Sequence, residues 1–288
     1  MINQKLKDKI CIVTGANSGI GKAIAFELAN QGATLIMVCR VKEKAQVAFE
    51  EIISRTKNPN VKLMLTDLSS QKEIKELAEK IKSEYPLINI LINNAGCMNF
   101  GYSETLEGIE TTLATNHLAY FLLTNLLLDS LKNGKARIIN VASEASKDAK
   151  INLEDLNLKN SYSSFKSYSQ SKLANIIFTY ELARRLKNTG VTVNCVHPGI
   201  VPNTKLGKGS KLFSNYIASI APSLLVSPEQ AAETPIWLAT SSEVEGLNGK
   251  YFHNKKEIKS HPVSYDIELG KRLWDISVKM TGLNEEII

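Results

Sequence analysis

A phenol and an amine stand four residues apart at Tyr168 and Lys172, in the run Tyr-Ser-Gln-Ser-Lys. On a helix that spacing puts both side chains on one face, with the ammonium beside the phenol. A neighbouring cation favours phenolate, so it lowers the tyrosine pKa from about 10 towards working pH and makes Tyr168 a candidate general acid and base. Taken alone, the two also read as a partly solvated pair on a helix surface. Far upstream, Thr14-Gly-Ala-Asn-Ser-Gly-Ile-Gly21 closes a short apolar run and opens a helical pattern. A glycine-rich turn in that context suits the pyrophosphate of a dinucleotide. Gly15 allows the tight turn, Gly19 the close approach of phosphate and Gly21 the packing of helix on strand, while backbone N–H groups at the helix start hold the charge. The spacing is GxxxGxG rather than the common GxGxxG, and tight strand-to-helix packing is the plain alternative.

The elements that must position these groups show in the alternation of short apolar, β-branched runs with longer helical patterns, which predicts βαβ units around a parallel sheet. Strands are expected at Ile10–Val13, Thr34–Cys39, Val61–Thr66, Ile88–Ile92, Ala136–Val141, Val191–Val196 and Lys250–Phe252, and their near-continuous hydrophobicity predicts burial on both faces. Helices are expected at Ile20–Asn30, Ser70–Tyr85, Leu113–Leu131 and Tyr168–Lys187, with Ser70-Gln-Lys-Glu73 as a capping box. The fold class is therefore α/β: one doubly wound parallel sheet of about seven strands with helices on both faces, in a single domain over 1–288. Three segments break the rhythm: Glu144–Ser167, Pro202–Ser227 and the tail after His253.

Composition bounds the partners. With 43% hydrophobic and 22% charged residues, the chain is that of an ordinary globular protein able to bury a large core. Its net charge of +6 is scattered among acidic residues without a basic tract, which argues against nucleic acid. Cys11, Cys39, Cys97 and Cys195 form no CxxC pair and no zinc spacing, and three lie in strand-like runs, as expected of buried thiols in a reducing compartment. His117, His197, His253 and His261 converge on no ligand spacing either, so no metal is expected. The polar start from Met1 to Lys9 carries no signal peptide or membrane-spanning pattern, which makes the cytoplasm the expected location.

Thr14–Gly21, Asn93-Asn-Ala-Gly96, Asn116, Ser143, Tyr168-xxx-Lys172 and His197-Pro-Gly199 together resemble, in order and spacing, the short-chain dehydrogenase/reductase family over nearly the whole chain. Ser169–Asn175, Glu181–Leu186 and Arg272-Leu-Trp-Asp275 resemble its retinol dehydrogenase branch. The resemblance implies an oxidoreductase with Asn116, Ser143, Tyr168 and Lys172 as catalytic tetrad. Ser143 would donate a hydrogen bond to the substrate oxygen, Tyr168 would transfer the proton, Lys172 would also bind the nicotinamide ribose, and Asn116 would hold a water joining Lys172 to solvent. It further implies cofactor contacts at Gly15, Asn17, Ser18, Gly19, Ile20, Gly21, Arg40, Asp67, Leu68, Asn94, Ala95, Gly96, Tyr168, Lys172, Pro198, Gly199 and Val201. Asp67 would meet the adenine amine, although it also reads as a turn cap. Asn93 to Gly96 would lie along the adenosine ribose, although it also reads as a turn closing the fourth strand.

The second strand ends Met37-Val-Cys39-Arg40 without the carboxylate that would bind a ribose 2′-hydroxyl, and Arg40 suits a 2′-phosphate, so NADP(H) is expected over NAD(H). Between Pro202 and Ser227, Lys205, Lys208 and Lys211 interleave with Leu212, Phe213, Tyr216, Ile217, Ile220, Leu224 and Leu225. In the resemblance this is the place of the substrate lid, and its apolar side suits a small hydrophobic carbonyl or alcohol; the same pattern would also serve weak contact with a membrane surface. Asp155-Leu-Asn-Leu158 resembles a longer segment of the retinol dehydrogenase branch, many of whose members begin with a membrane anchor, and this sequence departs from them. The long helices at Leu113–Leu131 and Tyr168–Lys187 correspond to those that relatives pair into homodimers. A dinucleotide-responsive regulatory protein without turnover is the alternative to an enzyme.

Overall fold

A computed structural model describes residues 4–202 and 225–284. Its strands are β1 Ile10–Thr14, β2 Thr34–Cys39, β3 Val61–Leu65, β4 Ile90–Asn93, β5 Arg137–Val141, β6 Thr192–Val196, β7 Tyr251–His253 and β8 Lys256–Glu257. They form one sheet in the order β3-β2-β1-β4-β5-β6-β7-β8. The first seven pair in parallel, and β8 turns back antiparallel on β7 through Asn254 and Lys255, both at positive φ. This two-residue strand is additional to the seven expected, because Lys256 and Glu257 are exposed charges with no apolar pattern to mark them.

The helices are α1 Gly19–Asn30, α2 Lys42–Thr56, α3 Gln71–Glu84, a single turn α4 Thr111–Leu113, α5 Ala119–Leu126, α6 Leu128–Asn133, α7 Ser164–Arg185, α8 Pro228–Thr240 and α9 Ile267–Thr281. Alternate residues of the central strands serve two cores. Cys11, Val13, Leu35, Met37 and Ile139 face one layer with Ile24, Leu28, Ile52 and Leu238 from α1, α2 and α8. Ile12, Ile36, Val38 and Ile138 face the other with Ile74, Ile81, Phe121, Phe178 and Trp274 from α3, α5, α7 and α9. Each such side chain contributes roughly 1.5–3 kcal/mol by leaving water, which is why these strands read as continuous apolar runs. β3 departs from the expected burial on both faces: it is the sheet edge, and its Lys62 and Leu65 are exposed.

The expected helix from Leu113 to Leu131 is broken, since Ala114–Leu118 is a π-helical turn and Leu127 divides α5 from α6. π-turns widen the backbone spiral by one residue and recur at functional sites. The capping box at Ser70 is half formed: the Ser70 hydroxyl accepts from Glu73 N–H, but the Glu73 carboxylate takes Asp67 N–H instead. Conversely α7 starts a turn earlier than expected, capped by Ser163 Oγ, so Tyr168 and Lys172 both lie inside the helix. α9 crosses α7 with Gly270 at the close approach, where a Cβ would sit 2.8 Å from Arg184 Nη2. Trp274 packs edge-on to Phe121 at 4.8 Å, lies 5.9 Å from Phe178, and carries the Arg185 guanidinium 4.1 Å from its ring centre.

Candidate active site

Chain order reverses across the sheet between β1 and β4, and in doubly wound sheets the crevice beyond the carboxyl ends of such strands receives the ligand. Thr14, the last residue of β1, stitches the two ends together. Its Oγ1 accepts from the backbone N–H groups of Asn94 (2.9 Å) and Ala95 (3.0 Å), and its carbonyl accepts from Asn94 Nδ2 at 2.8 Å. Gly15 (φ +68°) leaves no room for a side chain, since a Cβ would lie 2.9 Å from Ala95 Cα, and at Gly21 it would lie 2.3 Å from Gly15 O. Gly19, at φ +53°, meets nothing within 4 Å. The α1 N-terminus carries no side-chain cap from Ser18 and no acidic residue in its first turn. A closed glycine floor, open space at Gly19 and an uncapped helix start fit the pyrophosphate of a dinucleotide. Asn17 and Ser18 flank this opening half-buried, while Ile20 packs on the α1–β1 core and Leu68 is buried under the neighbouring β3–α3 turn.

At the tip of β2, Arg40 is exposed and its Nη1 lies 3.7 Å from Asp67 Oδ2. The other Asp67 oxygen accepts from Ser69 N–H at 2.9 Å and Ser69 Oγ at 2.8 Å, so Asp67 does close the turn into α3, as a cap should.

Lys172 is buried on α7 and its Nζ donates to Val141 O at 2.9 Å. The ammonium lies 5.9 Å from the centre of the Tyr168 ring and 5.5 Å from that of Tyr120, whose hydroxyl donates to Ala95 O at 2.8 Å. Burial lowers the Lys172 pKa to about 8. Gly96 is exposed, and a Cβ there would meet Asn116 Oδ1 at 3.3 Å and Lys172 Nζ at 3.5 Å, so the expected cofactor turn and two of the expected tetrad share one point. Asn116 sits in the π-turn. Its amide donates to Cys97 O (2.9 Å) and Ser171 Oγ (3.0 Å) and accepts from Cys97 N–H (2.8 Å), while its backbone carbonyl accepts from Asn175 Nδ2 (2.8 Å). Tyr168 is half-buried, and its carbonyl accepts from Ser171 Oγ at 2.7 Å.

Ser143 follows β5, two residues beyond the carbonyl that holds Lys172, and caps the one-turn helix Glu144–Ser146 by accepting from Ala145 N–H at 3.3 Å. With that lone pair engaged, its O–H hydrogen is directed elsewhere. Beyond β6, Pro198 and Gly199 (φ +88°) are half-buried and Val201 is buried, and Ile200 bridges Leu225 in parallel. The structure thus brings the expected residues to one end of the sheet. A nicotinamide dinucleotide bound there would supply or take a hydride. The span 203–224, which holds most of the expected lid, lies outside the described residues.

A sequence profile of the short chain dehydrogenase family matches residues 9–212. The chain belongs to that family. As a short-chain dehydrogenase it is an oxidoreductase of the CH–OH and C=O couple. It is 44% identical over 282 residues to human retinol dehydrogenase 13, covering 96% of this chain and 85% of that protein. It is 41% identical over 285 residues to human retinol dehydrogenase 12, covering 99% and 90%. A solved structure from Mycobacterium paratuberculosis superposes with a TM-score of 0.76 at 30% identity, over 96% of this chain and 94% of that one. A Shigella flexneri short chain dehydrogenase complexed with NADP shares the fold at a TM-score of 0.70 and 22% identity, over 88% of this chain and 100% of that one.

Several side chains of this short-chain dehydrogenase site escape sequence reading. Ser171 and Asn175 support Asn116 from α7, and their spacing of three and seven from Tyr168 is the only trace of a shared helix face. His117 is buried with Nδ1 at 3.2 Å from Asn175 Oδ1 and Nε2 at 3.2 Å from Ser277 Oγ of α9, and burial lowers its pKa to about 4. His197 and His253, far apart in sequence, stack at 3.9 Å. Among the described residues no group of His, Cys, Asp and Glu forms a metal site, and no helix is long and apolar enough to cross a membrane. Cys97, beside Gly96, is a thiol whose pKa burial raises, which makes it a poor nucleophile.

Proposed function

We propose that this short-chain dehydrogenase interconverts a hydrophobic ketone or aldehyde and its alcohol with NADP(H), and that Tyr168 moves the proton. The observation that carries the reading is the buried Lys172 ammonium, set between Tyr168 and Gly96 at the mouth of the dinucleotide cradle. In reduction the Tyr168 hydroxyl passes its proton to the substrate oxygen, and the phenolate left behind is compensated by Lys172. Ser143 donates a hydrogen bond to the same oxygen, and Asn116 ties the Cys97 backbone to the hydroxyl of Ser171, the neighbour of Lys172. In oxidation the proton returns to Tyr168. The glycine turn, Asn94 to Gly96 and Pro198 to Val201 hold the dinucleotide, with Asp67 and Leu68 on the adenine side.

Arg40 supports NADP(H), because the β2 tip offers a guanidinium and no carboxylate of its own. A hydrophobic substrate accords with the names of the human relatives, retinol dehydrogenases 12 and 13, since retinol is an apolar alcohol. The chain works as one domain, with 202–227 as lid and the residues past 253 as an extension that closes over α7. A cytoplasmic setting accords with four free cysteines. A homodimer through α5 and α7 would bury the faces of those helices that α9, packed on Phe121 and Phe178, leaves open.

The test is NADPH consumption with a varied set of apolar aldehydes and ketones. Tyr168→Phe should lose at least roughly a hundredfold in kcat while NADPH affinity stays within about threefold. Tight NADPH binding without turnover of any carbonyl by the native protein would favour a regulatory dinucleotide sensor instead.

A further inference from the structure

Glu144, the residue after Ser143, pairs through Oε1 with Lys147 of its own turn at 3.8 Å, and its Oε2 lies 3.0 Å from His197 Nε2. His197 is 5% exposed and sits at the end of β6, next to Pro198. Its Nδ1 accepts from Gly199 N–H at 3.4 Å. A neutral imidazole has one donor and one acceptor, so the two contacts select one tautomer: Nε2–H donates to the carboxylate, and the Nδ1 lone pair remains for Gly199. Burial first, and the neighbouring His253 second, hold the His197 pKa down to about 3, which keeps the ring neutral. The surrounding contacts leave the ring little freedom. His253 stacks on it with rings 9° from parallel and lies 3.2 Å through Nδ1 from His197 O, and the Tyr251 ring lies 5.9 Å away.

On the far side of the same loop, Gly199 adopts φ +88° and a Cβ there would approach Val226 Cγ2 to 3.0 Å. Val226 N–H donates to Ile200 O at 3.0 Å. On the near side, Ser146 Oγ (2.7 Å) and Ser146 N–H (3.0 Å) both donate to Ser143 O. Glu144 and His197 therefore form a side-chain link between the turn that carries Ser143 and the loop that carries Pro198 and Gly199.

We propose that Glu144 is a positioning residue: by fixing the His197 tautomer it holds the Pro198–Gly199 loop in register with the Ser143 hydroxyl. This rests on the reading of Ser143 as hydrogen-bond donor to the substrate oxygen, whereas the tautomer lock stands on the geometry alone. Its failure registers in the transition state, where a small misplacement of a donor is felt most, and in dinucleotide affinity, because Pro198 and Gly199 also hold the cofactor.

The experiment compares Glu144→Ala with Glu144→Gln, whose amide oxygen still accepts from Nε2–H. Steady-state kinetics with NADPH and an apolar carbonyl should show kcat down roughly tenfold in Glu144→Ala, with NADPH bound roughly threefold or more weakly through the loosened Pro198–Gly199 loop, and both should recover to within about threefold of native in Glu144→Gln. Ring ¹⁵N shifts of His197 and amide exchange at Gly199 report the lock without turnover. The native protein and Glu144→Gln should show the Nε2–H tautomer and a protected Gly199 amide, and Glu144→Ala should show Nδ1–H character and faster exchange. An unchanged His197 tautomer and Gly199 exchange in Glu144→Ala overturn the proposal whatever the rates are. So does a Glu144→Gln protein as impaired as Glu144→Ala. A native protein that turns over no carbonyl but shows the tautomer shift keeps the lock and removes the enzymatic reading.

Discussion

Replacing Arg40 tests cofactor choice in a way that the geometry makes quantitative. In the structure Arg40 leans towards Asp67 at 3.7 Å, with side-chain exposures of 62% and 34%. An exposed ion pair of that kind is worth about 0.2–1 kcal/mol. A charge-assisted hydrogen bond from the guanidinium to a 2′-phosphate is worth about 1.5–3 kcal/mol. The phosphate therefore wins the arginine from Asp67, with a net preference of about 0.5–2.8 kcal/mol. Near the middle of that range, Arg40→Ala should reduce kcat/KM for NADPH roughly fifteenfold, at about 1.4 kcal/mol per factor of ten. NADH lacks the 2′-phosphate and should change by less than about threefold. Arg40→Asp should go further and invert the ratio, since its carboxylate accepts the ribose hydroxyl and repels phosphate. Asp67→Asn provides the converse: releasing Arg40 should raise the ratio of NADPH to NADH efficiency by up to about fivefold. The assay is initial rates with each cofactor at fixed carbonyl, at low and high salt, because exposed charges are screened over about 8 Å at physiological strength. Equal losses with both cofactors in Arg40→Ala, or a ratio indifferent to all three substitutions, would show that the guanidinium does not read the phosphate.

Three further outcomes follow from the same structure. Gly21→Ala places a methyl 2.3 Å from Gly15 O and 2.4 Å from Asn94 Nδ2, so the turn must shift; a stability loss of about 1–3 kcal/mol by thermal melt and a tenfold or greater weakening of NADPH binding by titration are expected, against a gain of only about 1 kcal/mol in helix propensity. Because burial lowers the Lys172 pKa to about 8 from 10.5, the folded chain binds fewer protons there than the unfolded one between those values, and stability rises with pH across that window. Lys172→Met should thus melt higher than the native protein at pH 7, by on the order of 2 kcal/mol, with the gap closing towards pH 10, and carbonyl reduction by the native protein should fade as pH climbs through about 8. Trp274→Ala empties the seat between Phe121, Phe178 and Arg185, and calorimetry should report a loss of about 3–5 kcal/mol.

How much of this could be read from the chain differs by element. Strands buried on both faces announce themselves, and Thr34–Cys39 matches its expected bounds because every residue in it is apolar or β-branched. The geometry of the glycine turn and of the α7 face was legible because local backbone demands those residue types: Gly15 at positive φ, and Tyr168 with Lys172 one turn apart on a helix. The π-turn at Asn116 was not, since a helical sequence carries no mark of one extra residue per turn when tertiary bonds from Ser171 and Asn175 hold it open. α2 and α8 were missed for a different reason. α2 is largely polar, and α8 carries Pro235 in its interior, so neither shows a clean apolar stripe. The Glu144–His197 contact joins positions more than fifty residues apart, and only the neighbouring parallel strands β5 and β6 bring them together.

α9 follows every other described element in chain order, yet its Ser277 completes the buried path through His117 and Asn175 to the carbonyl of Asn116. During synthesis the support beneath Asn116 therefore waits for α9, which also brings Trp274 to the Phe121–Phe178 core. A chain cut before α9 would lose the Ser277 contact to His117 and the Trp274 packing on Phe121 together, so site support and core closure hang on the same helix.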